Sequence, residues 1–234
     1  MKKSIKPWKK DWLLPEWKLV KYKYIYAICF LVIIFALQPF LKPINVKEQG
    51  RLFYPCRKEK TIYIRGNFNL LNLESYNEDK IRVDYEKRSR VYTEALGKKL
   101  NSCIAFDFLE VDNMAVFKPL KIKKTFSISE KLLLTATHSS SQLDATLHIP
   151  ENLRLNLKLN KGNIFINNFS GSGEIFTEKG DITLTNVKGN LKVKTLKGNI
   201  IADSLDGKFK LEALAGKVKL GKYKGFVLYT DAQK

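Results

Sequence analysis

Eight glycines, Gly162, Gly171, Gly180, Gly189, Gly198, Gly207, Gly216 and Gly225, follow one another at a spacing of nine, in a chain of 234 residues that holds only 13 glycines. A fixed period of this kind marks a repeat whose single unit cannot bury its apolar face alone, so that units must stack. With each glycine as position zero, position two reads Ile164, Gly173, Ile182, Leu191, Ile200, Phe209, Val218 and Val227. Position four reads Ile166, Ile175, Leu184, Val193, Ala202, Leu211, Leu220 and Tyr229. Position seven is apolar in Phe169, Val187, Leu196, Leu205, Leu214 and Tyr223. Polar residues stand between them, and alternation of this sort is the mark of a half-buried strand. Each unit therefore reads as a short strand with two inward side chains, then a corner whose third apolar residue also points inward. Glycine suits the corner because it takes positive φ without a Cβ clash.

The nines pair into eighteens. Units at 162, 180 and 198 share Gly-[Asn/Asp]-Ile, whereas those at 189 and 207 read Gly-x-[Leu/Phe]-Lys. Two strands per coil place Asn163, Asp181 and Asn199 in register at one corner, where a ladder of side-chain hydrogen bonds can form. The unit at 171 departs from the pattern at Gly173 and Glu178 and reads as a bulge or distorted corner. The fold class expected is all-β: a β-solenoid over residues 61–234, regular from 162, behind one N-terminal transmembrane helix.

Period-two alternation begins at Thr61, with Ile62 and Ile64 and then Ile81, Val83 and Tyr85. Residues 89–101 are open between a short helix and a loop. Further strands are expected in "CIAFDFLEV", "LKIKKTFSI", "KLLLTAT" and "LDATLHIP".

Upstream, residues 24–41 ("YIYAICFLVIIFALQPFL") carry no charge. As a helix they would be roughly 27 Å long, close to the hydrocarbon thickness of a bilayer. A long basic lead and the absence of a small-x-small pattern after the run favour an uncleaved anchor over a signal peptide. Residues 1–60 hold 14 Lys/Arg against 4 Asp/Glu, so much of the formal charge of +19 sits beside this segment. The short basic tail, residues 1–23, is expected in the cytoplasm, with Trp8, Trp12 and Trp17 suited to the headgroup zone. Residues 42–60 read as a polar stalk, and the remainder is expected outside the cytoplasm at the inner membrane. Cys56 and Cys103 are compatible with a disulfide there or with two free thiols.

The segment from Ala145 to Ile200, with a strand closing on Pro150 and then recurrent Gly-[Asp/Asn]-Ile strands, resembles the bacterial adhesin-like family often called DUF4097. That resemblance is specific over 145–222 and looser over 61–90. It implies a single-domain β-solenoid on membrane-anchored or exported proteins, and it carries no catalytic residues over.

Few residues carry chemistry. Calcium-binding nine-residue repeats need Gly-Gly-x-Gly-x-Asp, whereas here each unit has one glycine, commonly preceded by Lys, which disfavours a cation. The nearest carboxylate pair is Asp203 and Asp206, and it reads as a solvated corner rather than a polysaccharide-cleaving site. His138 and His148 have no nucleophile or carboxylate partner identifiable from spacing. The lysines alternate with core positions and lack a basic–aromatic recognition motif, which argues against nucleic acid. No cofactor, metal or catalytic residue is expected. The function expected is a non-enzymatic adhesive, scaffold or binding role in the envelope. The alternative is a regulatory module that binds another envelope protein, with a polysaccharide-acting enzyme behind both. Lys192 and Lys210 fall at the same position on successive rungs, with Lys194 and Lys208 beside them, and form the candidate binding face for an anionic envelope polymer or protein partner. Like charges so close repel unless something anionic lies across them.

Overall fold

The computed structural model describes residues 24–26, 28–29, 32–33, 36, 42–55, 61–111, 113–136 and 139–232. They belong to two compact units, Met1–Lys42 with Phe126–His138, and Pro43–Thr125 with Ser139–Lys234. In the first unit every described residue between 24 and 36 is helical. The expected span at 24–41 lies largely outside the described residues, and among those described no helix is long and apolar enough to cross a membrane.

The same unit contains a helix at Ile128–Ala136, where the leucine run had read as a strand. Its start explains the difference. The Ser127 N–H donates to Glu130 Oε2 at 2.6 Å, and the Glu130 N–H donates to Ser127 Oγ at 3.2 Å. This is a reciprocal capping box, which nucleates a helix whatever the β-propensity around it. Residues 122–127, the remainder of an expected strand, have no regular structure.

The second unit opens with β1 (Ile44–Pro55), β2 (Thr61–Tyr76) and β3 (Lys80–Val91). Residues 44–55 are therefore a strand and not the expected stalk: β1 runs antiparallel along β3 from Ile44 opposite Val91 to Pro55 opposite Lys80. Its polar appearance comes from alternation, since Val46 is buried and Leu52 and Tyr54 pack on the core while Lys47, Gln49, Arg51 and Phe53 face out. Residues 89–101 resolve into the end of β3 and a helix, Glu94–Asn101, whose N-cap Thr93 accepts the Leu96 N–H at 3.3 Å. Gly97 lets this helix close on β1, because a Cβ there would lie 2.4 Å from Val46 Cγ2.

β4 (Ile104–Val111) and β5 (Met114–Lys121) form an antiparallel pair, followed by β6 (Ser140–Pro150). β2 is divided by a register shift after Gly66. Its first half lies parallel to β5 and its second half parallel to β6, while β6 also pairs antiparallel with β3. Phe117 stacks on Phe68 and Phe106 and lies tilted to Tyr54, which stacks on Phe108, while Tyr85 lies tilted to Phe106, so that the six rings form one aromatic cluster.

From β7 (Leu153–Asn167) the chain becomes regular through β8 (Ser170–Lys179), β9 (Ile182–Lys197), β10 (Ile200–Ala213), β11 (Val218–Leu220) and β12 (Tyr223–Thr230). Pairing is parallel, and each residue lies opposite the one eighteen later. Ile164, Ile182, Ile200 and Val218 form one such column, and Leu155, Gly173, Leu191, Phe209 and Val227 another. Twelve strands thus belong to one mixed sheet among the described residues, and β2 is the partner of the first regular strand.

The eighteen-residue period separates two kinds of backbone feature that the nine-residue reading had merged. The left-handed corners that recur every eighteen residues are Asn168, Asn186 and Ser204, at φ of 50°, 52° and 58°; Asn152, at 63°, precedes β7 outside this series. The side chain after each corner is buried: Phe169, Val187 and Leu205. The alternate units have no such corner, so their position seven does not turn in: Leu196 is half-buried and Leu214 is exposed. Tyr223, which continues the Phe169, Val187 and Leu205 column on the final rung, is exposed. Position six goes inside instead, as Thr177, Thr195 and Ala213. The glycines answer a different need. At Gly207, with φ of +138°, a Cβ would stand 2.1 Å from the carbonyl oxygen of Gly189, one rung away. Two columns of glycine therefore let neighbouring backbones approach closely. Gly173 is not a bulge: it stays in register opposite Leu155, where a Cβ would come within 1.8 Å of the Leu155 oxygen.

Candidate functional site

The outward positions of β7 to β12 build three parallel rows across the sheet. One row is Arg154, Ser172, Asn190, Lys208 and Phe226; the next is Asn156, Glu174, Lys192, Lys210 and Leu228. The third is Lys158, Phe176, Lys194, Glu212 and Thr230. Alternation puts Leu191, Val193, Phe209 and Leu211 into the core, and so turns the lysines outward. Six basic side chains meet two acidic ones on this face.

The two glutamates change the expected electrostatics. Lys192 Nζ is 3.7 Å from Glu174, while Lys194 and Lys210 converge on Glu212 at 3.1 and 2.6 Å. The lysine stack is therefore partly neutralised from within. The Lys210 hydrogen bond, followed by that from Lys194, holds the Glu212 carboxyl below the ordinary glutamate range. Arg154 and Lys208 make no ion pair among the described residues, and they border an open groove of about 500 Å³ with Lys192, Lys210, Phe226 and Leu228. Lys158 lies over the Phe176 ring at 5.6 Å from the centroid. Exposed cations beside apolar ring surface suit an extended anionic chain better than a compact ligand, because no enclosing wall is present to desolvate one.

The corner ladder forms along the edge of these rows. The Asp181 N–H donates to Asn163 Oδ1 at 3.0 Å, the Asn199 N–H to Asp181 Oδ1 at 2.7 Å, and the Lys217 N–H to Asn199 Oδ1 at 3.0 Å. At the left-handed corners, Asn186 Nδ2 donates to Asn168 Oδ1 at 2.6 Å. Asp203 is a corner residue too. The Lys222 N–H donates to its carboxylate at 2.8 Å, and this bond, then that from the Ser204 hydroxyl, lowers its pKa. A carboxylate occupied by its own turn is unsuited to act with Asp206 as an acid–base pair.

A second polar cluster, on β1, β2, β3 and β6, was not legible from spacing. His148 Nε2 is 2.8 Å from Arg82 Nη2 and 3.3 Å from Asp84, and Nδ1 is 3.5 Å from Glu74. Burial raises the Asp84 pKa, but the Arg51 hydrogen bond and the Arg82 charge outweigh it and hold the carboxyl below its ordinary range. Glu86 and Asp144 are tied in turn to Gln49, Lys47 and Arg88. These groups pair with one another across the strands, and the Tyr76 ring that packs edge-on to the imidazole, 5.9 Å between centroids, gives its hydroxyl to the Lys80 carbonyl. Nor do the described residues place three His, Cys, Asp or Glu side chains where they could hold a metal ion. His138 and Cys56 lie outside the described residues, and with Cys56 the expected choice between a disulfide and free thiols. The Cys103 thiol donates to the Lys99 carbonyl at 3.3 Å.

No family model matches the chain, and no curated protein does. The resemblance to the DUF4097 family therefore rests on the quoted residues. Among solved structures, the chain is similar to a "putative cell adhesion protein" of Clostridium sporogenes, at 11% identity and a TM-score of 0.39 over 82% of this chain and 100% of that one. It is also similar to a "putative adhesin" of Bacteroides fragilis, at 12% identity and a TM-score of 0.34 over 78% of this chain and 97% of that one. A third such protein, from Parabacteroides distasonis, gives 11% identity and a TM-score of 0.27 over 79% and 97%.

Proposed function

We propose that this chain is a membrane-anchored, non-enzymatic binding module of the cell envelope. In this reading residues 24–41 are the anchor, residues 1–23 are cytoplasmic, and the eighteen-residue coils form an extracytoplasmic β-solenoid. The observation that carries the binding role is the outward face of β7 to β10, where Arg154, Lys158, Lys192, Lys194, Lys208 and Lys210 outnumber Glu174 and Glu212. Glu212 takes up two of the lysines, which leaves Arg154 and Lys208 as the cations with least internal compensation. An anionic envelope polymer laid across the strands, which are about 4.8 Å apart, would meet cations on β7, β9 and β10, with only Glu174 charged on β8 between them.

The test substitutes Lys192, Lys194, Lys208 and Lys210 with Gln and measures retention of the folded protein on isolated envelopes at low and high salt. Retention should fall in the variant, and in the wild type it should fall with salt, because exposed charges are screened beyond about 8 Å at physiological ionic strength. Unchanged, salt-insensitive retention refutes the role of this face. Loss of wild-type retention after protease treatment of the envelopes would make the partner a protein, the regulatory alternative. Protease added to spheroplasts should digest the region from residue 61 onward; full protection until lysis refutes the topology.

A further inference from the structure

The regular stack ends differently at its two ends. Toward the N-terminus, β2 is paired on both sides and the aromatic cluster around Phe117 closes the core. Toward the C-terminus, β11 and β12 pair only with β10 among the described residues, so one full edge of backbone N–H and C=O groups is open. The columns that are core one rung earlier are uncovered here. Phe209 and Leu211 are 2% and 0% exposed, whereas Val227 opposite Phe209 is half-buried and Tyr229 opposite Leu211 is 53% exposed. Phe226 and Leu228 on the outer side are 63% and 49% exposed.

Proteins defend open edges with charge, proline or a covering element. The β1 edge carries Lys47, Glu48, Arg51 and Pro55, and the β4 edge carries Asp107 and Glu110. β12 carries Lys224 and no other charged residue along its length. We propose that this edge is a two-fold interface, in which a second copy of this chain pairs antiparallel with β12 about Val227.

The β12 sequence fits that partner. A two-fold axis perpendicular to the sheet keeps inner and outer faces in line, and one centred on Val227 places Phe226 opposite Leu228 of the second copy, twice, on the outer face. On the inner face Val227 meets its own equivalent, and Gly225 meets Tyr229, whose ring covers the glycine. Lys224 meets Thr230, so no like charges oppose each other. Cross-strand apolar and aromatic pairs of this kind are the unit that stabilises a sheet. Head-to-tail stacking is disfavoured, because the opposite end of the stack is closed by β2 with β5 and β6.

Oxidative cross-linking of the full chain in detergent micelles tests the register. Val227→Cys places two thiols across the axis at a Cα separation of about 4.5–5.5 Å, within the range of a disulfide, about 4.4–6.8 Å. It should give a covalent dimer beyond the wild-type background, and Lys224→Cys should not. Light scattering then tests the contact. The double variant Phe226→Lys with Leu228→Lys sets lysine against lysine and should lose the dimer, while Phe226→Lys with Leu228→Glu makes two opposite-charge pairs and should regain it. Background-level cross-linking of Val227→Cys overturns the proposal, as does a dimer that survives the double lysine or is not regained by the charge pair.

Discussion

Gly198→Ala adds one methyl group at a place where the rungs leave no room for it. Gly198 has φ of +151°, and a Cβ there would lie 2.1 Å from the Gly180 oxygen and 2.6 Å from its carbonyl carbon. A carbon and an oxygen approach comfortably to no less than about 3.3 Å, so the rungs must part locally by about 1 Å. A hydrogen bond lengthened by that amount is lost. The bonds in question are Gly180 N–H to the Lys197 carbonyl and Ile182 N–H to the Asn199 carbonyl, both at 2.9 Å. Two bonds at about 1 kcal/mol each, with about 1–3 kcal/mol for a side chain held at an unfavourable φ, give a loss of about 3–5 kcal/mol. For a unit of ordinary stability, about 5–15 kcal/mol, that is a large fraction. Urea unfolding followed by far-ultraviolet circular dichroism should show the midpoint falling by about 1–3 M, for a slope of about 2 kcal/mol per M. Gly216→Ala is the companion. Its Cβ would lie 1.9 Å from the Gly198 oxygen, but Gly216 is not at positive φ and its rung has an open side. It should cost less, about 1–2 kcal/mol. A Gly198→Ala midpoint equal to the wild-type one refutes the close-approach account of the glycine columns.

Leu191, 3% exposed and stacked between Gly173 and Phe209, should not tolerate a carboxylate: Leu191→Asp should cost several kcal/mol and melt the unit, while its exposed neighbour Lys192→Gln stays within about 0.5 kcal/mol; equal melting temperatures would sink the inward and outward assignment. Glu212 has a folded pKa depressed by Lys210 and Lys194, so its stabilisation is complete above the ordinary glutamate pKa and disappears as pH falls through the lower folded value. Glu212→Gln should therefore be less stable than wild type at pH 7 and converge with it in acid, and a constant difference from pH 7 to pH 2 would assign the effect to packing. Asp181→Ala removes the acceptor for the Asn199 N–H and should cost about 1–2 kcal/mol, whereas Asp181→Asn keeps an acceptor oxygen and should stay near wild type; equal loss in both would mean that the charge and not the acceptor matters.

The regular half of the fold was legible because its period is written in residue types. Glycine every nine, Ile or Leu at positions two and four, and Asn or Asp after alternate glycines are enough to place Asn163, Asp181 and Asn199 in one column. The corners were not, because Asn168, Asn186 and Ser204 do not share a residue type and their spacing of eighteen is masked by the louder nine. The irregular half failed for different reasons. β1 was missed because a strand with one wet face reads as polar loop when its partner, β3, lies some forty residues away. The Ile128–Ala136 helix reads as a strand by its dense apolar run, although Ser127-x-x-Glu130 is the capping box that starts it.

The candidate face divides along the same line. Which lysines point outward follows from alternation, but which of them are compensated depends on Glu174 and Glu212, each eighteen residues from the lysine directly opposite on the neighbouring strand. Register carries that information, and only the eighteen-residue reading exposes it. Register also explains why the last rung cannot complete itself. In a stack of equivalent coils each rung is stabilised by the neighbour on either side. β2 supplies the missing neighbour at one end with a sequence of its own, kinked at Gly66 and backed by Phe68 and Phe117. β12 keeps the interior pattern instead, with Gly225, Val227 and Tyr229 where Gly207, Phe209 and Leu211 stand one rung below. Among the described residues this interior pattern borders an open edge, which is what the proposed antiparallel pairing of a second copy would cover.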